Sequence, residues 1–108
     1  MKKRSHEWID ARSLDLARAV AEKVRRDPSL LEKARGNLSR WKDRLHPWPR
    51  ALQEWEEILG HPSLDRILLL LVEDSEEGRR RRQSSPFTGI LTPGERQAIF
   101  ERYEALGT

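Results

Sequence analysis

The sequence predicts an all-α fold, a small bundle of about five helices with an irregular basic segment between the last two. Three observations carry that reading. Apolar residues recur at three- and four-residue steps in several separate stretches, as one face of a helix requires. Capping residues, prolines and glycines fall between those stretches, where helices start and stop. No stretch alternates apolar and polar residues as a half-buried strand would, and there is no internal repeat.

The first helix follows Ser13, with Leu14, Ala17, Val20 or Ala21, and Val24 on its inner face. It ends at Arg25-Arg26-Asp27-Pro28, where Asp27 is placed to cap and Pro28 to open the next segment. Residues 1–12 precede this stripe as a lead-in with room to be flexible. In the second helix Leu31, Ala34, Leu38, Trp41 and Leu45 repeat at 3-4-3-4 spacing and make the cleanest apolar stripe of the chain. Gly36 interrupts that stretch at a cost of about 1 kcal/mol relative to alanine, which points to a close packing contact. His46-Pro47-Trp48-Pro49 then breaks the helix, because each proline disfavours helical geometry at the residue before it.

A third helix from Pro49 to Leu59 turns Leu52, Trp55 and Leu59 inward and stops at Gly60. A fourth opens with Ser63 as its cap, and its centre, Ile67 to Val72, is apolar all round. Such a helix is expected to be the most buried of the fold. A short strand is the rival for that run, but its leucines and acidic flank favour helix. Thr92-Pro93-Gly94-Glu95 has the form of a capping box with proline at the first helical position. Ile99, Phe100, Tyr103 and Leu106 give the last helix its apolar face.

A chain of 108 residues fits a single domain, 1–108. Hydrophobic and charged residues each make up 36% of it, so the core is modest, while the four tryptophans argue against disorder. The absence of cysteine removes disulfides, thiolate catalysis and the usual zinc sites. The start MKKRSHEWIDARS lacks the apolar core of a signal peptide, and Ile67–Val72 is far too short to span a bilayer. The expectation is a cytoplasmic protein without membrane contact. Lys and Arg exceed Asp and Glu by only 21 to 18, a mixed-sign surface that favours an acidic partner weakly.

Candidates for chemistry are few. His6, His46 and His61 are not spaced to gather a metal, and no metal site or cofactor is expected. Glu54, Glu56, Glu57, Glu73, Asp74, Glu76 and Glu77 fall on helix faces expected to be exposed, not beside buried apolar residues. There is no phosphate-binding glycine loop and no serine on a nucleophile elbow, so a non-enzymatic role is expected. Trp41 and Trp55 suit core anchors of adjacent helices, and Trp48, between two prolines, suits a surface groove.

The sharpest feature is GRRRRQSSPFTGIL, residues 78–91. Arg79, Arg80, Arg81 and Arg82 alone resemble a nucleic-acid patch. Yet on a continuing helix Glu76 faces Arg80 and Glu77 faces Arg81, the favourable order for such pairs, and cations suit a helix C-terminus. Beyond them Pro86 forces Ser85 out of helical geometry and Gly89 permits a turn. Phe87, Ile90 and Leu91 therefore either fold back on the bundle or fill a partner's pocket.

The run RRQSSPFTGILTPGERQAI, with DPSLLEKARGNLSRW and a tryptophan-containing helix upstream, resembles short helical bacterial proteins carrying an RQSSPFxGxLTPxER motif. The resemblance extends from Leu14 to Leu106. Such proteins look like antitoxins of two-gene modules, which implies a co-encoded toxin protein as partner. The class of toxin stays open, and no separate DNA-binding domain beside a disordered tail is present here. On that footing the expected function is neutralisation of the toxin by protein–protein contact. Residues 79–91 are the expected docking segment, with Arg79, Arg80, Arg81, Arg82, Ser84, Ser85, Pro86 and Phe87 as the contacts. In this reading the arginines pair with acidic groups of the partner and Phe87 is the apolar anchor. The alternatives are a small DNA- or RNA-binding regulator, using the same arginines with Lys2, Lys3 and Arg4, and a structural helical interaction module.

Overall fold

The computed structural model describes the backbone of residues 6–107 and the side chains of residues 7–105. Helix α1 runs over His6–Arg26, followed by a short 3-10 turn at Pro28–Leu30. Then come α2 (Leu31–Lys42), α3 (Arg50–Leu59), α4 (Leu64–Leu71), α5 (Glu76–Arg82) and α6 (Pro93–Gly107). The described residues contain no strand.

The boundaries follow local chemistry. The Asp27 side chain accepts from the backbone N–H of Ser29 at 3.3 Å, capping the turn that Pro28 begins. Ser63 Oγ accepts from the Arg66 N–H at 3.2 Å and starts α4. At α6 the capping box is complete. The Thr92 N–H donates to Glu95 Oε1 at 2.7 Å, and the Glu95 N–H donates to Thr92 Oγ1 at 3.1 Å.

The sequence expectation of about five helices becomes six α-helices among the described residues, because α4 does not continue into the arginine run. Val72 ends α4, and Ser75 starts a new helix by accepting the Gly78 N–H at 3.0 Å. A close approach makes this junction possible: a Cβ on Gly78 would lie 2.0 Å from the Glu73 carbonyl oxygen. Only glycine lets α5 fold back so tightly onto the end of α4. Helix α1 also starts earlier than its apolar stripe, so residues 6–12 of the lead-in are helical, while residues 1–5 lie outside the described residues.

One apolar core is shared by α1, α2, α3, α4, α6 and the segment before α6, while α5 buries only Gly78, Arg81 and Arg82. Trp55 is fully buried at the centre of that core, with Val24, Leu59, Ile67, Leu68 and Leu71 beside it. Helix α1 packs against α4, α5 and α6, while α2 pairs with α3. Short as it is, α5 touches α1, α3 and α4, and so sits between the two groups.

Three expectations about packing are corrected. Helix α4 is not buried all round: Leu69 is 61% exposed, because an eight-residue helix with neighbours on its Ile67–Leu68–Leu71 side still turns its other side to solvent. Leu45 does not extend the α2 stripe, since α2 ends at Lys42 and Leu45 is 40% exposed. Gly36 makes no close contact, its nearest prospective neighbour being Arg40 Nη1 at 3.5 Å. The cleanest stripe otherwise stands: Leu31, Ala34 and Leu38 are buried, and Trp41 is half-buried.

Candidate functional site

The arginine run is helical, and its four members go to four different places within the chain. Arg79 lies 3.6 Å from Asp10 of α1 and 3.7 Å from Asp74. Arg80 forms a two-pronged pair with Glu54 of α3, with both N–O distances 2.8 Å, and also reaches Glu77. That bond from Arg80 holds the Glu54 carboxyl below its ordinary range. Arg81 donates to Glu73 Oε1 at 2.9 Å. The Glu73 carboxyl is likewise lowered, chiefly by its bond from Ser75 and then by Arg81.

Arg82 differs from the others. It is 7% exposed, and its Nη1 donates to the carbonyls of Leu71 at 3.2 Å and Glu73 at 2.7 Å. The Leu71 carbonyl is one that the end of α4 leaves without an intrahelical partner, at the negative pole of the helix, and Glu73 lies two residues past that end. Glu77 therefore pairs with Arg80 and not with Arg81, and Arg81 finds its acid in Glu73.

The segment after α5 is irregular but not free. Pro86 is fully buried, Phe87 is 4% exposed, and Ile90 and Leu91 also belong to the core. The Phe87 ring meets Trp55 edge-on, with centroids 5.5 Å apart. Buried irregular backbone needs partners for its carbonyls, and the first two long helices provide them. Asn37 Nδ2 donates to the carbonyls of Pro86 at 2.8 Å and Thr88 at 3.0 Å. Lys33 reaches Gly89 at 3.3 Å, and Lys23 reaches Ile90 at 2.8 Å. Gly89 takes φ of +87°, where other residues are strained, and so lets the strap turn between these anchors.

The expectation of an accessible docking segment at residues 79–91 is therefore corrected. Arg81, Arg82, Pro86 and Phe87 face the interior, while Arg79, Arg80, Ser84 and Ser85 are half-buried and the first two are already paired. The physical reason is the combination of Asn37, which is 6% exposed, with an apolar slot lined by Trp55. Together they favour folding the strap back onto its own bundle. Lys2, Lys3 and Arg4 lie outside the described residues.

A second constellation, which the spacing alone did not single out, joins α1 to α6. The Arg12 guanidinium lies over the ring of Trp8 at 5.0 Å and over that of Phe100 at 4.7 Å. Arg96 lies over Phe100 at 5.0 Å, and Tyr103 meets Trp8 edge-on at 5.9 Å. Cations and rings thus alternate along Trp8, Arg12, Phe100 and Arg96. The Tyr103 hydroxyl donates to Asp15 and lies 3.2 Å from the Ala11 carbonyl; burial and Asp15 push its pKa up. All five are half-buried or exposed, and so accessible in part to another molecule. The signal was present as two four-residue steps, Trp8/Arg12 and Arg96/Phe100, but nothing in the sequence says that α1 and α6 bring them together.

Trp48 is half-buried at the α2–α3 corner, its Nε1 donating to Glu56 at 2.8 Å, as a groove position would allow. Among the described residues no group of acids and histidines could hold a metal ion, and no helix is long and apolar enough to cross a membrane. No family model matches the chain, and no curated protein or solved structure matches it.

Proposed function

We propose that this chain is a protein-binding module of the antitoxin type, which neutralises a toxin encoded beside it by direct contact. The class comes from the resemblance carried by RRQSSPFTGILTPGERQAI. The observation that carries the binding is the half-exposed ladder of Trp8, Arg12, Phe100 and Arg96 on α1 and α6. Tryptophan, tyrosine and arginine are the residue types that dominate binding energy at protein interfaces. Here they are held in fixed geometry by stacking, so little conformational freedom is lost on association. The role first assigned to Phe87 thus passes to Phe100.

The nucleic-acid reading has less support. Phosphate binding needs uncommitted cations, whereas Arg79 to Arg82 each have a partner inside the fold.

Co-expression with the neighbouring gene product, followed by co-purification and calorimetry, tests the proposal. A Phe100→Ala, Arg12→Ala double variant is expected to lose about 2 kcal/mol or more of binding while remaining helical. Unchanged affinity in that variant would remove the ladder as the contact. Failure of the parent chain to co-purify would remove the antitoxin reading itself.

A further inference from the structure

A cavity of about 170 Å³ opens between α1, the end of α4 and the strap, with Ser13, Ala17, Arg82, Ser85, Phe87 and Arg96 among its lining residues. Its walls are mostly apolar, but a buried cation borders it. A guanidinium has five N–H donors, and in Arg82 the two Leu71 and Glu73 carbonyls engage Nη1 alone. Its Nε is closed off from the cavity and finds no acceptor, so a ligand meets Arg82 through Nη2, which donates to neither carbonyl. Among the described residues no carboxylate lies within 4 Å of Arg82, and the acids that favour its charge from further off, Asp74 and Asp10, are bridged by Arg79. Burial pulls the Arg82 pKa down from its ordinary value, the direction expected for a cation short of counter-charge.

An apolar cavity of about 150 Å³ accommodates benzene, so this one suits a ligand of about six to nine non-hydrogen atoms. Apolar walls disfavour a dianion, whose desolvation is expensive, more than a singly charged group on a hydrocarbon. We propose that the cavity binds a small monocarboxylate, with its hydrocarbon part against Ala17 and Phe87 and its carboxylate served by Arg82 and Arg96. Ser13 and Ser85 place hydroxyl groups along the same lining. The ligand rests on the strap and on α1 together, so its binding tightens the junction between them, whatever the chain's protein partner.

The test uses the intact chain alone, with hexanoate as probe and hexanamide as its neutral counterpart, followed by backbone amide NMR shifts and calorimetry. Hexanoate is expected to give saturable shifts at Ser13, Ser85 and Gly89. Hexanamide is expected to bind about tenfold more weakly, the loss of a single charge-assisted bond. Arg82→Gln risks the fold, so two safer variants decide. Arg96→Gln, at an exposed position, should weaken hexanoate several-fold and bring the two probes closer together. Ala17→Leu, which fills the cavity, should abolish the saturable shifts of both. Equal affinity for the two probes, hexanoate binding that survives Ala17→Leu, or no saturable shift in the parent chain each overturn the proposal.

Discussion

The indole Nε1 of Trp55 donates to the backbone carbonyl of Arg81 at 2.8 Å, inside the core. One side chain on α3 thereby fixes the height of α5, and with it the direction in which all four arginines leave the helix. The same indole is the edge-on partner of Phe87, so it also seats the strap that follows. Trp55→Phe keeps a ring but removes the donor, leaving a buried carbonyl without a partner. We expect it to cost about 2 kcal/mol or more, measured by chemical denaturation. A smaller loss than Trp41→Phe, at a half-buried position, would mean the indole bond does not hold α5.

Phe87→Ala is expected to lower stability by about 3–5 kcal/mol, the usual range for removing a buried aromatic ring. Leu38→Ala should cost about 2–5 kcal/mol, and Trp41→Ala less than its size suggests because its side chain is only partly buried. Normal melting for Phe87→Ala would put that ring outside the core and return the strap to the role of a free peptide.

What the sequence made legible here was local, and what it concealed was long-range. Asp27, Ser63 and the Thr92/Glu95 pair announce helix ends because a cap needs only neighbours two or three residues away. The stripes Leu31–Ala34–Leu38 and Leu52–Trp55–Leu59 announce inner faces for the same reason. Phe87 could be weighed either as a lid or as a docking group, because the deciding partners are distant in sequence. Asn37 is 49 residues from Pro86, and Trp55 is 26 from Arg81. Asn37 carries no signal of burial in its own helix; it becomes intelligible only as the donor that irregular carbonyls require. The Arg12–Phe100 stack is hidden in the same way.

Two glycine-to-alanine changes should act in opposite directions. Gly78→Ala drives a methyl to within 2.0 Å of the Glu73 carbonyl oxygen, which is backbone and cannot rotate away. A loss of about 3 kcal/mol or more is expected. Gly36→Ala meets only the flexible end of Arg40 at 3.5 Å, so the better helix former should stabilise by up to about 1 kcal/mol. Thermal melts of both variants beside the parent check the pair. A gain at Gly78 would refute the tight α4–α5 junction.

Stability should fall in acid. Glu54, Glu56, Glu73 and Glu95 all have carboxyl pKa values lowered in the fold from an ordinary 4.5. The causes are bonds from Arg80 to Glu54, from Lys42 and then Trp48 to Glu56, from Ser75 to Glu73, and from Lys23 to Glu95. A depressed carboxyl stabilises the fold above its unfolded pKa and loses that contribution as pH falls through the folded one. Denaturation midpoints should therefore hold near neutrality and drop from about pH 4.5 downward. Glu54→Gln and Glu73→Gln should each make that drop shallower. Tyr103, whose pKa is raised by burial and Asp15, adds the opposite edge: its contribution holds below pH 10 and fades above it. A midpoint that rises on acidification would contradict the carboxylate assignments.

The arginine run supplies the most discriminating series, because its members differ in what they hold. Arg82→Ala strips the Leu71 and Glu73 carbonyls of their donor and leaves a void beside Phe87. Against this, it removes a buried cation with an unsatisfied Nε, which offsets part of the loss. Two charge-assisted bonds outweigh one orphaned donor, so a net cost of about 2 kcal/mol is expected. Arg81, 9% exposed and paired with Glu73, should come next. Arg80→Ala breaks a two-pronged pair whose side chain is 42% exposed, where solvent screens most of the gain, so its effect should be smaller and should shrink further with salt. Arg79, at 3.6 and 3.7 Å from its acids and also partly exposed, should matter least. Alanine at each position in turn, read by denaturation at low and high salt, gives the order directly. A nucleic-acid patch predicts something different: four near-equal losses in DNA affinity, each with a reduced salt slope, and little change in folding. The graded loss of stability would assign the run to the fold, and the uniform loss of affinity would assign it to a phosphate backbone.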